Sequence, residues 1–194
     1  MRPVDETPPR LVELLRAHDI AAASATHTLH HQVTIAASAA LVFAALSDLT
    51  LRDLPVTRGL SVVRYLRPGV VRADRPLLSH GPLPLVHTAA PHLVVAAGAS
   101  QPWRLHPARR DAQSLTDWAR FDAADWVKIL LAFTVEDQGE ARCRLSSDTL
   151  VWPTSRRARY RFGPYWAFIR PFASLLRVEI LTTTARQSER GSHS

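Results

Sequence analysis

The amino-acid sequence predicts an α+β fold, a curved antiparallel β-sheet gripping a long C-terminal α-helix. Three observations carry this expectation. Val127, Ile129, Leu131, Phe133 and Val135, and after Gly139 the set Ala141, Cys143, Leu145, Ser147, Thr149 and Val151, each fall at every second position of 126–136 and 140–151, the period of two paired antiparallel strands. The last forty or so residues change to a helical period. Between the N-terminal part and this hairpin lie short apolar runs cut by Pro and Gly, too short for helices. A sheet with one apolar face has to cover it, and the terminal helix is the natural cover.

Composition bounds the rest. The chain has 194 residues, 46% hydrophobic and 21% charged, which suits a single globular domain and excludes wholesale disorder. No apolar run approaches the roughly 18 residues of a membrane span, and no membrane span is expected. The N-terminus lacks a charged-then-apolar signal pattern, so a cytoplasmic location is expected. A lone cysteine, Cys143, excludes an internal disulfide framework and a Cys-based zinc finger. The net charge is +7, and of the 24 basic residues only Lys128 is a lysine. The arginines are scattered from Arg2 to Arg190, with one cluster at Arg156, Arg157, Arg159 and Arg161. Without a basic face carrying exposed aromatics, this reads as a solvated helix start, and no nucleic-acid partner is expected.

The elements follow in order. Residues 1–28 read as an N-terminal extension, partly helical or flexible. Pro3, Pro8 and Pro9 keep its start extended, and Leu11, Leu14 and Leu15 fit one or two helical turns. A single domain is expected over 29–190. Leu29, His31, Val33 and Ile35 alternate with His30, Gln32 and Thr34, a half-buried strand. Ser38 sits where an N-cap belongs, before the helical spacing of Leu41, Val42, Leu46 and Leu49. Pro55 is expected to close any second short helix. Val62–Leu66, Leu83–His87 and Leu93–Ala97 are short strand candidates, with Trp103 ending the last. In the hairpin, Val127, Ile129, Leu131, Phe133 and Val135 form one apolar face. The opposite face, with Arg142, Arg144 and Asp148, is expected to be solvated, Asp148 sitting in a surface cross-strand ion pair. On the final helix Tyr165, Trp166, Ile169, Phe172, Leu176 and Ile180 share a face, and Arg170 and Arg177 fall largely elsewhere. Tyr165, Trp166, Phe168 and Phe172 are expected in the core. Pro164 and Pro171 are expected to interrupt or kink this helix.

The segments "HQVTIAASAALVFAALSDL" (His31 to Leu49), "WVKILLAFTVEDQGEARCRL" (Trp126 to Leu145) and "SSDTLVWPTSRRARYRFGPYWAFIRPFASLLRVEIL" (Ser146 to Leu181) resemble the SRPBCC superfamily. This is the helix-grip fold shared by START domains, pollen-allergen-like lipid carriers and polyketide aromatase/cyclases. The resemblance covers about residues 29–190 and is nearest to a bacterial branch with a "YW" pair, here Tyr165–Trp166, ahead of an "IR"-containing stretch, here Leu176–Arg177. It implies a cavity between sheet and helix. Relatives tend to carry a Glu and an Arg near the end of the last strand, where this chain has Asp148 and Leu150, and a Glu where it has Leu93. A more apolar cavity is thereby implied.

The expected function is binding or carrying a hydrophobic small molecule, without a cofactor. The alternatives are a cofactor-free cyclase/dehydratase-type enzyme, a lyase or isomerase acting on an aromatic or polyketide-type substrate, and a protein-interaction module. The expected cavity residues are Trp103, Phe121, Ile129, Leu131, Phe133, Tyr165, Trp166, Ile169, Arg170 and Leu176. Arg170 would hold an anionic head group at the rim. General acid–base work needs one or two positioned proton carriers, and the candidates are Tyr165, Tyr65, His87, His31 and Asp148. The nine histidines include no two-His-plus-carboxylate spacing on one helix, so no metal is expected. There is no G-x-S-x-G elbow and no Gly-rich phosphate loop.

Overall fold

Strands β5 (Val127–Gly139) and β6 (Arg142–Pro153) form the expected hairpin, with Ile129 opposite Val151 and Phe133 opposite Ser147. Its turn takes three successive left-handed residues, Gly139, Glu140 and Ala141, at φ of 79°, 50° and 54°. Glycine adopts this region without a Cβ clash, so it leads the turn. The computed structural model describes residues 7–59, 74–104 and 106–192. Four more strands complete the sheet: β1 (His27–Ile35), β2 (Leu85–Ala89), β3 (Leu93–Gln101) and β4 (Ala108–Asp111). The order is β1-β6-β5-β3-β2, with β4 also paired to β3, and every pairing is antiparallel.

The C-terminal helix, Arg156–Gly191, covers the inner face of this sheet. Ser155 caps its start, its hydroxyl accepting from the Ala158 N–H at 3.1 Å. Near the far end, Ile180, Leu181 and Ala185 pack with Phe133, Val135, Cys143 and Leu145. Helix Ala39–Asp48 joins the same cluster through Val42 and Leu46, and Ser38 caps it as expected, accepting from Leu41 at 3.5 Å. Together these are an α+β fold with an antiparallel sheet gripping a long terminal helix.

Several expectations are corrected. The outer face of the hairpin is solvated at its turn end, where Arg142 is exposed, and covered further along. Helix Pro9–Ala17 lies on it, with Leu11 and Leu15 at 0% exposure, in one cluster with Val95, Leu130, Ala132 and Leu150. Packing therefore begins well before Leu29. Asp148 is on this covered face, opposite both His30 and Ala132, and is 2% exposed. Its partner is His30, Nδ1 to Oδ1 at 2.7 Å, whereas the Arg144 guanidinium meets the Gln138 side-chain oxygen at 2.8 Å. A carboxylate under a packed helix needs a buried partner, and a surface ion pair with arginine is not the one it has.

Pro164 and Pro171 do not interrupt the terminal helix, which is continuous over 36 residues. Both prolines are exposed. The carbonyls they leave without an N–H, those of Tyr160 and Ala167, belong to exposed residues, where water substitutes. A second short helix, the 3₁₀ turn Leu51–Asp53, ends ahead of Pro55 as expected, and Pro55 then opens a further helical stretch, 55–59, consistent with the fixed φ that suits a first helical position. Glu179 of the terminal helix accepts from the N–H groups of Val56 and Thr57 at 2.8 and 2.7 Å. Phe168 and Phe172 are outside the core, 69% and 36% exposed. Strand β2 starts two residues later than its candidate run. The candidate strand Val62–Leu66 lies outside the described residues, as does Tyr65.

Candidate ligand-binding site

The inner face of the sheet is built from alternate residues of each strand. On β5 these are Val127, Ile129, Leu131, Phe133 and Val135. Their neighbours on β6 are Cys143, Leu145, Ser147, Thr149 and Val151. On β1 they are His27, Leu29, His31, Val33 and Ile35. Two apolar clusters close the ends of this face under the terminal helix. One centres on Phe133, Val135 and Ile180. The other holds Val127, Val151 and Phe162, with Trp103, Ile129, Tyr165 and Trp166 against it.

Between the clusters the character changes. Ile129 and Leu131 lie on the central strand, yet both stay partly accessible, while Val127, Phe133 and Val135 are closed. Beside them the face turns polar. Ser147 stands in register with Phe133 on one side and His31 on the other. Thr149 stands between Leu131 and Leu29. His31 Nε2 and Ser174 Oγ of the helix are 2.7 Å apart. One turn on, the Arg177 guanidinium lies 6.0 Å from the centre of the Phe133 ring. The hydroxyls of Ser147 and Thr149 and the Nε of Arg177 are buried and meet no hydrogen-bond partner among the described residues. Burial lowers the Arg177 pKa to about 10, so it keeps its charge at neutral pH.

The other candidates fall as follows. Trp103, Ile129, Tyr165 and Trp166 come together at one end, and Leu131 and Phe133 belong to the other cluster. Ile169 and Leu176 are half-buried, and Arg170 is exposed. Phe121 is elsewhere. Its ring meets Trp126 edge-on at 5.5 Å and carries the Arg110 guanidinium at 4.6 Å. Arg110 stands in register with Ala99, which shares the outer side of β3 with Val95 and Ala97. Asp148 is likewise on the outer face, and His87 is on strand β2 opposite Val95. Of the acid–base candidates on described residues, His31 and Tyr165 are on the helix side. His27, also on the inner face, meets Phe162 and Trp166 edge-on at 5.1 and 5.7 Å. Burial, and then the charge of Arg159, hold its pKa below the usual histidine range. Burial pushes the Cys143 thiol up to about 11, so it is protonated and unreactive at neutral pH. Among the described residues no group of histidine, cysteine and carboxylate side chains is arranged to hold a metal, and no helix is long and apolar enough to cross a membrane.

Sequence reasoning gave Ser147, Thr149 and Ser174 no role, and it placed Arg177 largely off the apolar face of the helix, whereas its guanidinium lies over Phe133. The available signal was the placing of two hydroxyl residues at every-second positions in an otherwise apolar strand face, with Ser and Arg three apart on the covering helix.

No protein-family model and no curated protein matches the chain. Solved structures similar to it include norcoclaurine synthase from Thalictrum flavum, at 14% identity over 89% of this chain and 90% of that one, with a TM-score of 0.41. The Zhui aromatase/cyclase from Streptomyces sp. R1128 is similar at 12% identity over 86% of this chain and 95% of that one, TM-score 0.35. A solution structure from Thermobifida fusca is similar at 13% identity over 84% and 93%, TM-score 0.35. The helix-grip arrangement itself is read from this chain's own sheet and helix, and it is the one that the resemblance in sequence implied.

Proposed function

We propose that this protein binds a hydrophobic small molecule between the sheet and the C-terminal helix. The observation that carries this reading is the accessible stretch at Ile129 and Leu131. A residue on the covered face of a central strand is normally sealed by close packing. Here the sealed clusters lie to either side, and Trp103, Tyr165 and Trp166 wall one end. An apolar enclosure with a few convergent polar groups is the general form of a small-molecule site. A neutral fluorescent probe, N-phenyl-1-naphthylamine, is expected to bind at about one per chain, and Leu131→Trp is expected to weaken it roughly tenfold by filling the space. Absence of saturable binding by the wild-type chain refutes the reading.

A cyclase/dehydratase-type enzyme is the second reading, favoured by His31, a proton carrier on the inner face held by Ser174. Native mass spectrometry of the purified chain separates the two. A co-purified molecule that stays unchanged on incubation supports a carrier, and conversion that is lost in His31→Gln supports an enzyme. The interaction-module reading rests on a different observation. Tyr160, Phe168, Phe172, Leu175 and Val178 form an exposed apolar stripe on the helix. Self-association in sedimentation, lost on Phe168→Arg, would support docking between copies, and a monomer at all concentrations would remove it.

A further inference from the structure

We infer that the ligand is an apolar molecule bearing one carboxylate, received by Arg177. This rests on the reading of an apolar site above and adds the chemistry of its polar end. Arg177 is the inward-facing cation of the terminal helix, and its Nε is buried without a partner. Among the inner-face residues of β1, β5 and β6 the carboxylate is Asp137, opposite Cys143 at the turn end of the hairpin, where it is 61% exposed and 3.9 Å from His92. On the helix, the acid nearest in sequence, Glu179, is engaged by Val56, Thr57 N–H and the Thr57 hydroxyl. Asp148, the buried acid of β6, is on the other face with His30. The Arg177 side chain is only partly withdrawn from water, and its remaining donors are open to a ligand. A guanidinium so placed gains from an anion in reach, and its planar donor fork matches a carboxylate in geometry. The two hydroxyls buried without partners, Ser147 and Thr149, lie on the same inner face and can donate to an anionic oxygen. Phe133 under the guanidinium, and Leu131 and Ile129 beyond it, continue the site as an apolar floor. The polar end therefore demands an acid and the remainder demands hydrocarbon or an aromatic ring.

The test compares 11-(dansylamino)undecanoic acid with its methyl ester, by fluorescence titration of the full chain. The wild type is expected to bind the acid roughly tenfold or more tighter than the ester. Arg177→Met is expected to abolish this preference while leaving ester binding intact, and to raise the melting temperature of the ligand-free protein, because a charge without a partner is gone. Arg177→Lys is expected to keep part of the preference. Should Arg177→Met fail to fold, the double variant Ser147→Ala with Thr149→Val is expected to weaken the acid and not the ester. Equal binding of acid and ester by the wild type overturns the inference and leaves the apolar site standing. A preference that survives Arg177→Met also overturns it. Binding of neither probe overturns both.

Discussion

His27 shows how a single residue ties stability to pH. Its imidazole is packed against Phe162 and Trp166 and is held below its ordinary 6.5 by burial and then by Arg159. In the unfolded chain the same group takes up its proton near 6.5. As pH falls, the unfolded state binds the proton first, so this contribution is full above about pH 7 and is lost as pH falls toward the folded pKa. His27→Gln is expected to flatten the fall in urea midpoint between about pH 7 and pH 5. An unchanged slope would assign the effect to another group. Phe133 carries a packing prediction at the same scale. It is buried against Ile180 and Leu181, and Phe133→Ala is expected to cost roughly 3–5 kcal/mol by urea denaturation. A cost below about 0.5 kcal/mol, the range of exposed positions, would place the ring outside the core.

At the scale of elements, the N-terminal helix is the part whose role changes most between sequence and structure. Its nine residues, Pro9–Ala17, are too few to be stable alone. They hold because Leu11 and Leu15 fill the outer face beside Val95, Leu130 and Leu150. Leu15→Ala is expected to lower stability by about 2–5 kcal/mol, the range for a sealed leucine. A shift in the urea midpoint no larger than that of a surface substitution would show that the helix only rests on the sheet. The terminal helix behaves in the opposite way. Two prolines should weaken it by loss of hydrogen bonds, yet tertiary packing at Phe162 on one side of them and at Ile180, Leu181 and Thr184 on the other holds its two ends, and its solvent side absorbs the defects.

For the whole molecule, the sheet is covered on both faces, by different helices for different ends. The outer side is sealed by leucines and by Trp118, whose indole N–H donates to the Gly98 carbonyl at 2.9 Å. The inner side is sealed only at its two ends. That asymmetry is the reason the proposed site is put on the terminal-helix side. It also makes Phe168 dispensable for folding, since its ring meets Phe172 at 5.7 Å and little else of the core. Phe168→Gln is expected to change stability by no more than about 0.5 kcal/mol in thermal or urea unfolding. A larger loss would mean that the stripe is packed in solution.

Alternation and helical period were enough to determine the hairpin, the β1 strand, the Ser38 cap and the terminal helix, because each depends on contacts near in sequence or on one dominant apolar face. The meeting of Ile129 with Tyr165 and Trp166 rested on the same faces, and Trp103, which joins them, was added from its place after a strand and from the resemblance. Only the tertiary structure decided the rest. Asp148 reads as a surface residue until helix Pro9–Ala17 is laid over its face. Phe121 reads as a cavity residue until the helix at Leu115–Arg120 carries it to the outer side, beside Arg110. Arg177 reads as one more solvated arginine until the curl of the sheet turns its side of the helix inward over Phe133. In each case the side chain's surroundings are set by an element distant in the chain, and periodicity records only which residues share a face, not what covers it.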